Sequence, residues 1–307
     1  MPRRWAWPPG RSACRTGRRC ARTCGRTRLS STRPIRRSPP RESAPPGTGT
    51  ATVTSAPTVV VHRDPDVLAA AVAARLLTTL VDAQAARGSA SLVLTGGGVG
   101  IDCLRHLRGS PALHAVDWGR LDLWWGDERF VAAQDPDRND RQAREALLDA
   151  VPLDPARVHT IGAADGPDAG DPDAAADRYA AGLAAAAGTG HDVPAFDVLL
   201  LGMGPEGHTA SIFPESPAAH DERPVVAVRG CPKPPPTRVS LGFSAITQAR
   251  QVWMVVAGAE KAPAVALALS GAGRVQVPAA GAVGRTQSLW LLDEAAASHL
   301  PKALRRA

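Results

Sequence analysis

Long apolar runs, disulfide frameworks and metal-ligand spacings are all missing from this 307-residue sequence. With no stretch of about 18 apolar residues, we expect no transmembrane helix, and the arginine-studded N-terminus has no apolar core for a signal peptide. Beyond residue 50 the only cysteines are Cys103 and Cys231, so we expect a reducing, cytoplasmic location. The histidines are scattered without metal spacing, so we expect no metal site.

Three common motifs of nucleotide-binding proteins and hydrolases are also absent. The glycines after Thr95 are not followed by the Lys-Ser or Lys-Thr of a P-loop, and they lack the three spaced glycines of a dinucleotide site. No Gly-x-Ser-x-Gly element occurs, which argues against a serine nucleophile elbow.

Basic charge is concentrated at the N-terminus. Residues 1–50 hold thirteen arginines and one acid, Glu42, so a chain with net charge +7 carries −5 over the remainder. Residues 1–55 are rich in Arg, Pro, Ser and Gly and lack apolar periodicity, which is typical of a disordered tail. We favour translated upstream sequence from GC-rich DNA, with the true start near Val53. A natural disordered tail, a targeting peptide and a nucleic-acid-binding arm are the alternatives.

Short apolar strands alternate with helices over residues 56–307, the predicted catalytic domain. The predicted strands are 58–61, 91–95, 120–125, 196–201, 224–228, 251–258 and 288–292. The predicted helices are 67–86, 101–107, 139–151, 174–187, 259–269 and a last alanine-rich helix after Asp293. This alternation predicts an α/β fold with a mostly parallel sheet and helices on both faces.

Residues typical of a binding site follow three of these strands. Gly96–Gly98 lead into a helix, which aims free N–H groups at an anion. Asp127 and Arg129 follow the third strand, and a glycine-rich loop with Glu206 and His208 follows the strand 196–201. Because ligands bind beyond the carboxyl ends of parallel strands, these loops predict one shared site. A plain glycine turn, a solvated charged loop and a solvated histidine are the alternatives.

A proline-rich segment, residues 231–238, carries Lys233 and Arg238. Successive prolines hold an extended, stiff backbone, so both cations can be presented at fixed positions. An ordinary rigid linker is the alternative.

Four motifs, in order, resemble those of the 6-phosphogluconolactonase family. They are Leu-Thr-Gly-Gly-Gly (94–98), Trp-Trp-Gly-Asp-Glu-Arg (124–129) with Asn139, Leu-Gly-Met-Gly-Pro-Glu-Gly-His-Thr-Ala-Ser (201–211) with Phe-Pro (213–214), and Pro-Lys-Pro-Pro-Pro (232–236) with Arg238. The resemblance extends from about Thr58 to the C-terminus. It implies a Rossmann-like fold shared with glucosamine-6-phosphate deaminases and ribose-5-phosphate isomerases, and a metal-free, cofactor-free hydrolysis of 6-phosphogluconolactone in the oxidative pentose phosphate pathway.

The same resemblance assigns the catalytic base to His208, the site aspartate and arginine to Asp127 and Arg129, and a lysine to Lys233. From the chemistry we expect Asp127 or Glu206 to orient His208, and loop N–H groups with Arg129 to stabilise the oxyanion. The predicted substrate- and phosphate-binding residues are Gly96, Gly97, Gly98, Asn139, Lys233 and Arg238.

Three departures from the family's pattern concern substrate binding more than the base. The glycine loop continues as Val99-Gly100 where the family commonly has Ser-Thr-Pro, so phosphate must rely on backbone N–H groups. Glu206 replaces an aspartate, and Arg138 replaces a serine.

Two rival functions remain open at this point. A glucosamine-6-phosphate deaminase or related isomerase shares the fold, but the residues after His208 do not lead to the Asn-Glu-Pro element of the deaminases. A non-catalytic sugar-phosphate sensor with a nucleic-acid-binding arm is the rival from another class. We expect a small sugar-phosphate lactone as partner, no membrane, no nucleic acid, and a monomer.

Overall fold

The computed structural model describes residues 56–168 and 170–305, so the predicted tail lies outside it. The described residues form nine β-strands and six α-helices. In chain order they are β1 (Thr58–His62), α1 (Pro65–Arg87), β2 (Ala90–Leu94), α2 (Gly98–Arg108), β3 (Leu121–Trp125), β4 (Asp127–Arg129), α3 (Asn139–Ala146), α4 (Pro172–Ala186), β5 (Val198–Leu201), β6 (Val225–Val228), β7 (Arg238–Leu241), α5 (Phe243–Ile246), β8 (Gln251–Val256), α6 (Ala262–Leu269) and β9 (Gln287–Asp293).

The main sheet has six parallel strands in the order β1-β9-β8-β5-β2-β3, which confirms the predicted α/β fold. Every residue of β5 is buried, as its unbroken apolar run predicts for a strand covered on both faces. Helix α1 packs on β1, β2, β9 and α2. None of the helices described is long and apolar enough to cross a membrane.

The strand order reverses between β2 and β5. From β2 the chain moves outward to β3, and it later returns to place β5 on the other side of β2. Loops that leave two neighbouring parallel strands in opposite directions open a crevice at the carboxyl edge of the sheet. The glycine loop after β2 and the His208 loop after β5 lie at this edge.

A second sheet, antiparallel and in the order β4-β7-β6, was not predicted. Asp127 pairs with Ser240 and Arg129 with Arg238, so the charged residues after β3 form a strand rather than a loop. Helix α4 packs against β6 and β7. The small sheet therefore joins the Gly-Asp-Glu-Arg segment to the end of the proline-rich segment.

Helix α1, expected over 67–86, extends from Pro65 to Arg87 because caps fix both of its ends. Asp64 accepts a 2.8 Å hydrogen bond from the N–H of Val67, and Pro65 occupies the first turn. Gly88 ends the helix with φ of 80°, a left-handed conformation that glycine adopts without strain.

Two helix predictions were wrong in part or in full. The helix expected over 139–151 ends at Ala146, and a 3-10 turn follows at Leu148–Ala150. The alanine-rich segment after Asp293 forms turns and a short 3-10 helix at Lys302–Arg305 instead of an α-helix. Pro301 leaves room for only about two turns after Asp293, and so short a helix forms only where tertiary packing supports it.

Candidate active site

One cavity of about 630 Å³ lies at the carboxyl edge of the main sheet. The glycine loop after β2, the segment with Asp127 and Arg129, and the His208 loop after β5 all line it. Nine of the ten predicted site residues line it: Gly96, Gly97, Gly98, Asp127, Arg129, Asn139, His208, Lys233 and Arg238. The tenth, Glu206, does not line the cavity but hydrogen-bonds to His208, which does. The structure thus brings together residues up to 142 positions apart in the chain.

His208 and Glu206 form a hydrogen-bonded pair within the tight loop after β5. Nδ1 of His208 lies 2.8 Å from Oε1 of Glu206, and the imidazole stacks on Phe213 with ring centroids 4.4 Å apart. A carboxylate at Nδ1 holds the proton on that nitrogen and leaves Nε2 as the basic atom. Of the two carboxylates that the sequence left open, Glu206 is the one in contact with His208.

Gly204 makes room for this pair. A Cβ built on Gly204 would lie 2.1 Å from Nδ1 of His208 and 2.6 Å from Oε2 of Glu206, well inside van der Waals contact. The backbone also closes at this residue, since its N–H donates to the carbonyl of His208 at 3.0 Å. The loop therefore requires glycine here because imidazole and carboxylate pack directly against its backbone.

Burial and the neighbouring charges set the ionisation of this pair. Burial lowers the pKa of His208 below its ordinary 6.5; Glu206 opposes that shift and Lys233 reinforces it. Burial alone would raise the pKa of Glu206, but its own backbone N–H, His208 and Lys233 together lower it. A neutral imidazole beside an ionised carboxylate is the state that can accept a proton at neutral pH.

Asp127 is held from three sides. Oγ of Ser211 donates to its Oδ2 at 2.7 Å, and Nη1 of Arg238 lies 3.9 Å from the same oxygen. Nδ2 of Asn139 donates to the Asp127 carbonyl at 2.8 Å. A Cβ on Gly96 would lie 1.9 Å from Oδ1 of Asn139, so the glycine loop packs tightly on this amide.

Glu128, between the two predicted site residues of β4, is the buried anchor of the strand. Its carboxylate accepts from the N–H groups of Arg129 (2.8 Å), Asn139 (2.7 Å) and Asp140 (2.9 Å). Nη2 of Arg138 lies 3.6 Å away, and the two side chains are 1% and 2% exposed. Burial raises the pKa of Glu128 to about 7, an effect that the Arg138 charge opposes.

The proline-rich segment closes on Arg238. Nε of Arg238 donates to the carbonyl of Pro235 at 3.2 Å, and Nη2 donates to those of Lys233 (3.2 Å) and Pro234 (3.4 Å). Nζ of Lys233 lies 3.3 Å from Oε2 of Glu206. Two of the three guanidinium nitrogens of Arg238, Nε and Nη2, thus donate to the loop that presents Lys233.

Two residues of the site, Lys261 and Ser211, were not predicted from the sequence. Lys261 lines the cavity just beyond β8, and burial lowers its pKa. A lysine after the end of a further parallel strand was the available signal. Ser211, which is fully buried, holds Asp127, but nothing in its local sequence indicates that contact. No three His, Cys, Asp or Glu side chains in the described part of the chain are grouped to hold a metal.

Comparisons with known proteins identify close relatives of this chain. The family model described as glucosamine-6-phosphate isomerases/6-phosphogluconolactonase matches residues 63–290. A 6-phosphogluconolactonase of Streptomyces coelicolor is 60% identical over 251 residues, covering 81% of this chain and 96% of that protein. One of Mycobacterium tuberculosis is 51% identical, covering 79% of this chain and 98% of that protein. The solved structure of 6-phosphogluconolactonase from Trypanosoma brucei matches with a TM-score of 0.70 at 30% identity, covering 80% and 99%.

Proposed function

Because this chain belongs to the glucosamine-6-phosphate isomerase/6-phosphogluconolactonase family, we propose that His208 activates the water that opens its lactone substrate. The reaction is the hydrolysis of 6-phospho-D-glucono-1,5-lactone to 6-phosphogluconate, a step of the oxidative pentose phosphate pathway. The enzyme is a carboxylic ester hydrolase acting on a small sugar-phosphate lactone.

His208 carries the proton transfers of the proposed mechanism. Nε2 takes a proton from water as its oxygen attacks the lactone carbonyl, and the Glu206 carboxylate stabilises the imidazolium through Nδ1–H. The tetrahedral oxyanion then collapses, the bond from the former carbonyl carbon to the ring oxygen breaks, and the imidazolium returns its proton to that oxygen. A δ-lactone is an activated ester, so the pathway needs no covalent intermediate.

Arg129 and backbone N–H groups are proposed to stabilise the oxyanion. Arg129 lines the cavity with His208, and its backbone is fixed by Glu128 at 2.8 Å. One preorganised donor of this kind is worth about 3–4 kcal/mol in the transition state.

The phosphate is proposed to bind at the glycine loop and the cavity lysines. Helix α2 begins at Gly98 without a side-chain cap, so the N–H groups of its first turn can donate to phosphate oxygens. Lys261 and Lys233 add positive charge at the same cavity. Arg238 contributes through the one nitrogen, Nη1, that does not bond to a loop carbonyl.

The observation that carries this mechanism is the His208–Glu206 pair on a cavity lined by four cations, Arg129, Lys233, Arg238 and Lys261. Lactone hydrolysis in a pH-stat, beside ammonia release from glucosamine 6-phosphate, tests the activity. We expect the first reaction only, and hydrolysis no faster than the spontaneous rate would contradict it. His208→Gln, an uncharged replacement of comparable length, then tests the base.

Domain extent, location and assembly are part of the proposal as well. We place the catalytic domain at residues 56–307, in the cytoplasm, acting as a monomer. Two free, buried thiols, Cys103 and Cys231, suit a reducing compartment.

A further inference from the structure

The two oxygens of the Glu206 carboxylate have different partners. Oε1 lies 2.8 Å from Nδ1 of His208, while Oε2 lies 3.3 Å from Nζ of Lys233. Lysine, carboxylate and imidazole therefore form one continuous chain that ends at the proposed base. The lysine comes from the proline-rich segment, 25 residues beyond the histidine.

We propose that Lys233 acts on the reaction through Glu206: it holds the second carboxylate oxygen, fixes the first on Nδ1, and so sets the pH range over which His208 is a neutral base. This proposal rests on the proposed function and adds to the phosphate contact that Lys233 makes there. In this role Lys233 is a positioning residue, and its effect is present without substrate.

The burial of the three groups makes the coupling effective. The side chains of His208, Glu206 and Lys233 are 15%, 32% and 44% exposed, so solvent screens the lysine most and the imidazole least. Arg238 keeps the lysine in place, because its guanidinium binds the Lys233 and Pro234 carbonyls. A long flexible side chain is thus anchored at its backbone close to the carboxylate.

Several other charged groups face the same imidazole. Asp127, on β4, is the second anion that favours the charged form of His208. Arg129, Arg238 and Lys261 line the cavity around it and disfavour that form. Among these cations Lys261 is the suitable control: Lys261→Met removes one charge from the same cavity, and although Lys261 feels the charge of Glu206, its salt bridge is to Glu260 and not to that carboxylate.

The test measures the ionisation of His208 in the full chain, free of substrate. NMR titration of histidine-labelled protein follows the imidazoles of the eight histidines, and His208→Gln identifies the signal of interest. Lys233→Met should raise the pKa of His208 by about 0.5 unit or more, because the repulsive charge is lost and Glu206 is left unneutralised. The acid limb of kcat/KM should move to higher pH by the same amount.

Three companion variants separate coupling through Glu206 from a general loss of charge. Lys233→Arg keeps the charge and should titrate like the wild type. Lys233→Met added to Glu206→Gln should shift the pKa by less than half as much as it does alone. Lys261→Met should also shift it by less than half. High salt should shrink the Lys233→Met shift, as expected for a partly exposed charge.

The titration of His208 and the lactonase assay test the inference and the proposed function separately. An unchanged or lowered pKa in Lys233→Met, or an equal shift in Lys261→Met, overturns the inference while lactone hydrolysis by the wild type stands. A wild type without lactonase activity overturns the proposed function, and the titration still decides the coupling. If Lys233→Met does not fold, Lys233→Gln gives the same readout.

Discussion

Nδ1 of His208 lies 2.8 Å from Oε1 of Glu206, two residues earlier in the same loop. The proposed base and the carboxylate that contacts it therefore come from one turn, and Gly204 is the residue whose missing side chain lets them meet. No distant segment is required to bring Glu206 and His208 together. The other residues that line the cavity, such as Arg129 and Lys261, come from distant segments of the chain.

The acid limb of activity should have its midpoint below pH 6.5. Burial lowers the pKa of His208, so the imidazole stays neutral to a lower pH than an exposed histidine, and kcat/KM falls only as pH drops through the lowered value. His208→Ala should reduce kcat by about 10³-fold while the protein remains folded. Rate profiles from pH 5 to 8 and circular dichroism check this, and near-normal turnover would require a different base.

Gly204→Ala should disable the enzyme by displacing the His208–Glu206 pair. The added Cβ would lie 2.1 Å from Nδ1, so the imidazole must move, and a shift of about 1 Å costs roughly 10²-fold in kcat/KM. Gly182→Ala is the control, since a Cβ there meets nothing within 4 Å on helix α4. Equal activity in the two variants would contradict the packing argument.

Breaking the Glu128–Arg138 pair should destabilise the protein more than removing both charges. The side chains are 1% and 2% exposed, so Arg138→Met leaves the Glu128 carboxylate buried without a cation, at a cost of up to about 3–5 kcal/mol. Glu128→Gln should cost less, because Arg138 keeps its 3.0 Å contact with Asp140. The double variant should recover much of that loss. Urea unfolding of the four proteins measures the coupling, and additive costs would show that the pair does not interact.

The raised pKa of Glu128 should also make the stability of the protein depend on pH. Glu128 has a raised pKa of about 7 in the folded protein against an ordinary 4.5, so the folded state binds its proton more tightly. Stability should therefore fall as pH rises from about 5 through 7, by at most about 1.4 kcal/mol per pH unit. Glu128→Gln should remove this slope in unfolding experiments, and an unchanged slope would assign it to another group.

Lys261→Met should weaken substrate binding more than turnover. Loss of a partly buried cation at the proposed phosphate site should raise KM by about 10-fold, as for a charged hydrogen bond, with a smaller effect on kcat. Lys302→Met, on the exposed C-terminal 3-10 helix, is the matched control. Unchanged KM in Lys261→Met would remove this residue from the phosphate site.

Removing residues 1–52 should leave kcat, KM and the unfolding midpoint unchanged. Residues 63–290 carry the family match, whereas residues 1–50 hold thirteen arginines and one acid. The nucleic-acid alternative predicts salt-sensitive DNA or RNA binding by the full chain that the deletion abolishes. Filter binding at low and high salt distinguishes the two.

The chemical groups of the site were readable from the sequence because strand ends in a parallel sheet share an edge. The glycine loop, Asp127, Arg129 and His208 each follow a predicted strand, and the cavity contains all of them. The predicted boundaries of strands and helices lie within a few residues of the observed ones where apolar periodicity and capping residues mark them in the local sequence. The segment after Asp293 failed because alanine content predicts helix without regard to the chain length available.

What the sequence alone determined was which residues stand at the strand ends, since this follows from local apolar runs, glycines and caps. Only the tertiary structure decided that Glu206 rather than Asp127 contacts His208, that Ser211 donates to Asp127, and that Lys261 joins the cavity. Those facts depend on side-chain directions and on pairings such as β4 with β7, between residues 109 to 113 positions apart. No local pattern encodes such distances, because they arise only when the whole core packs.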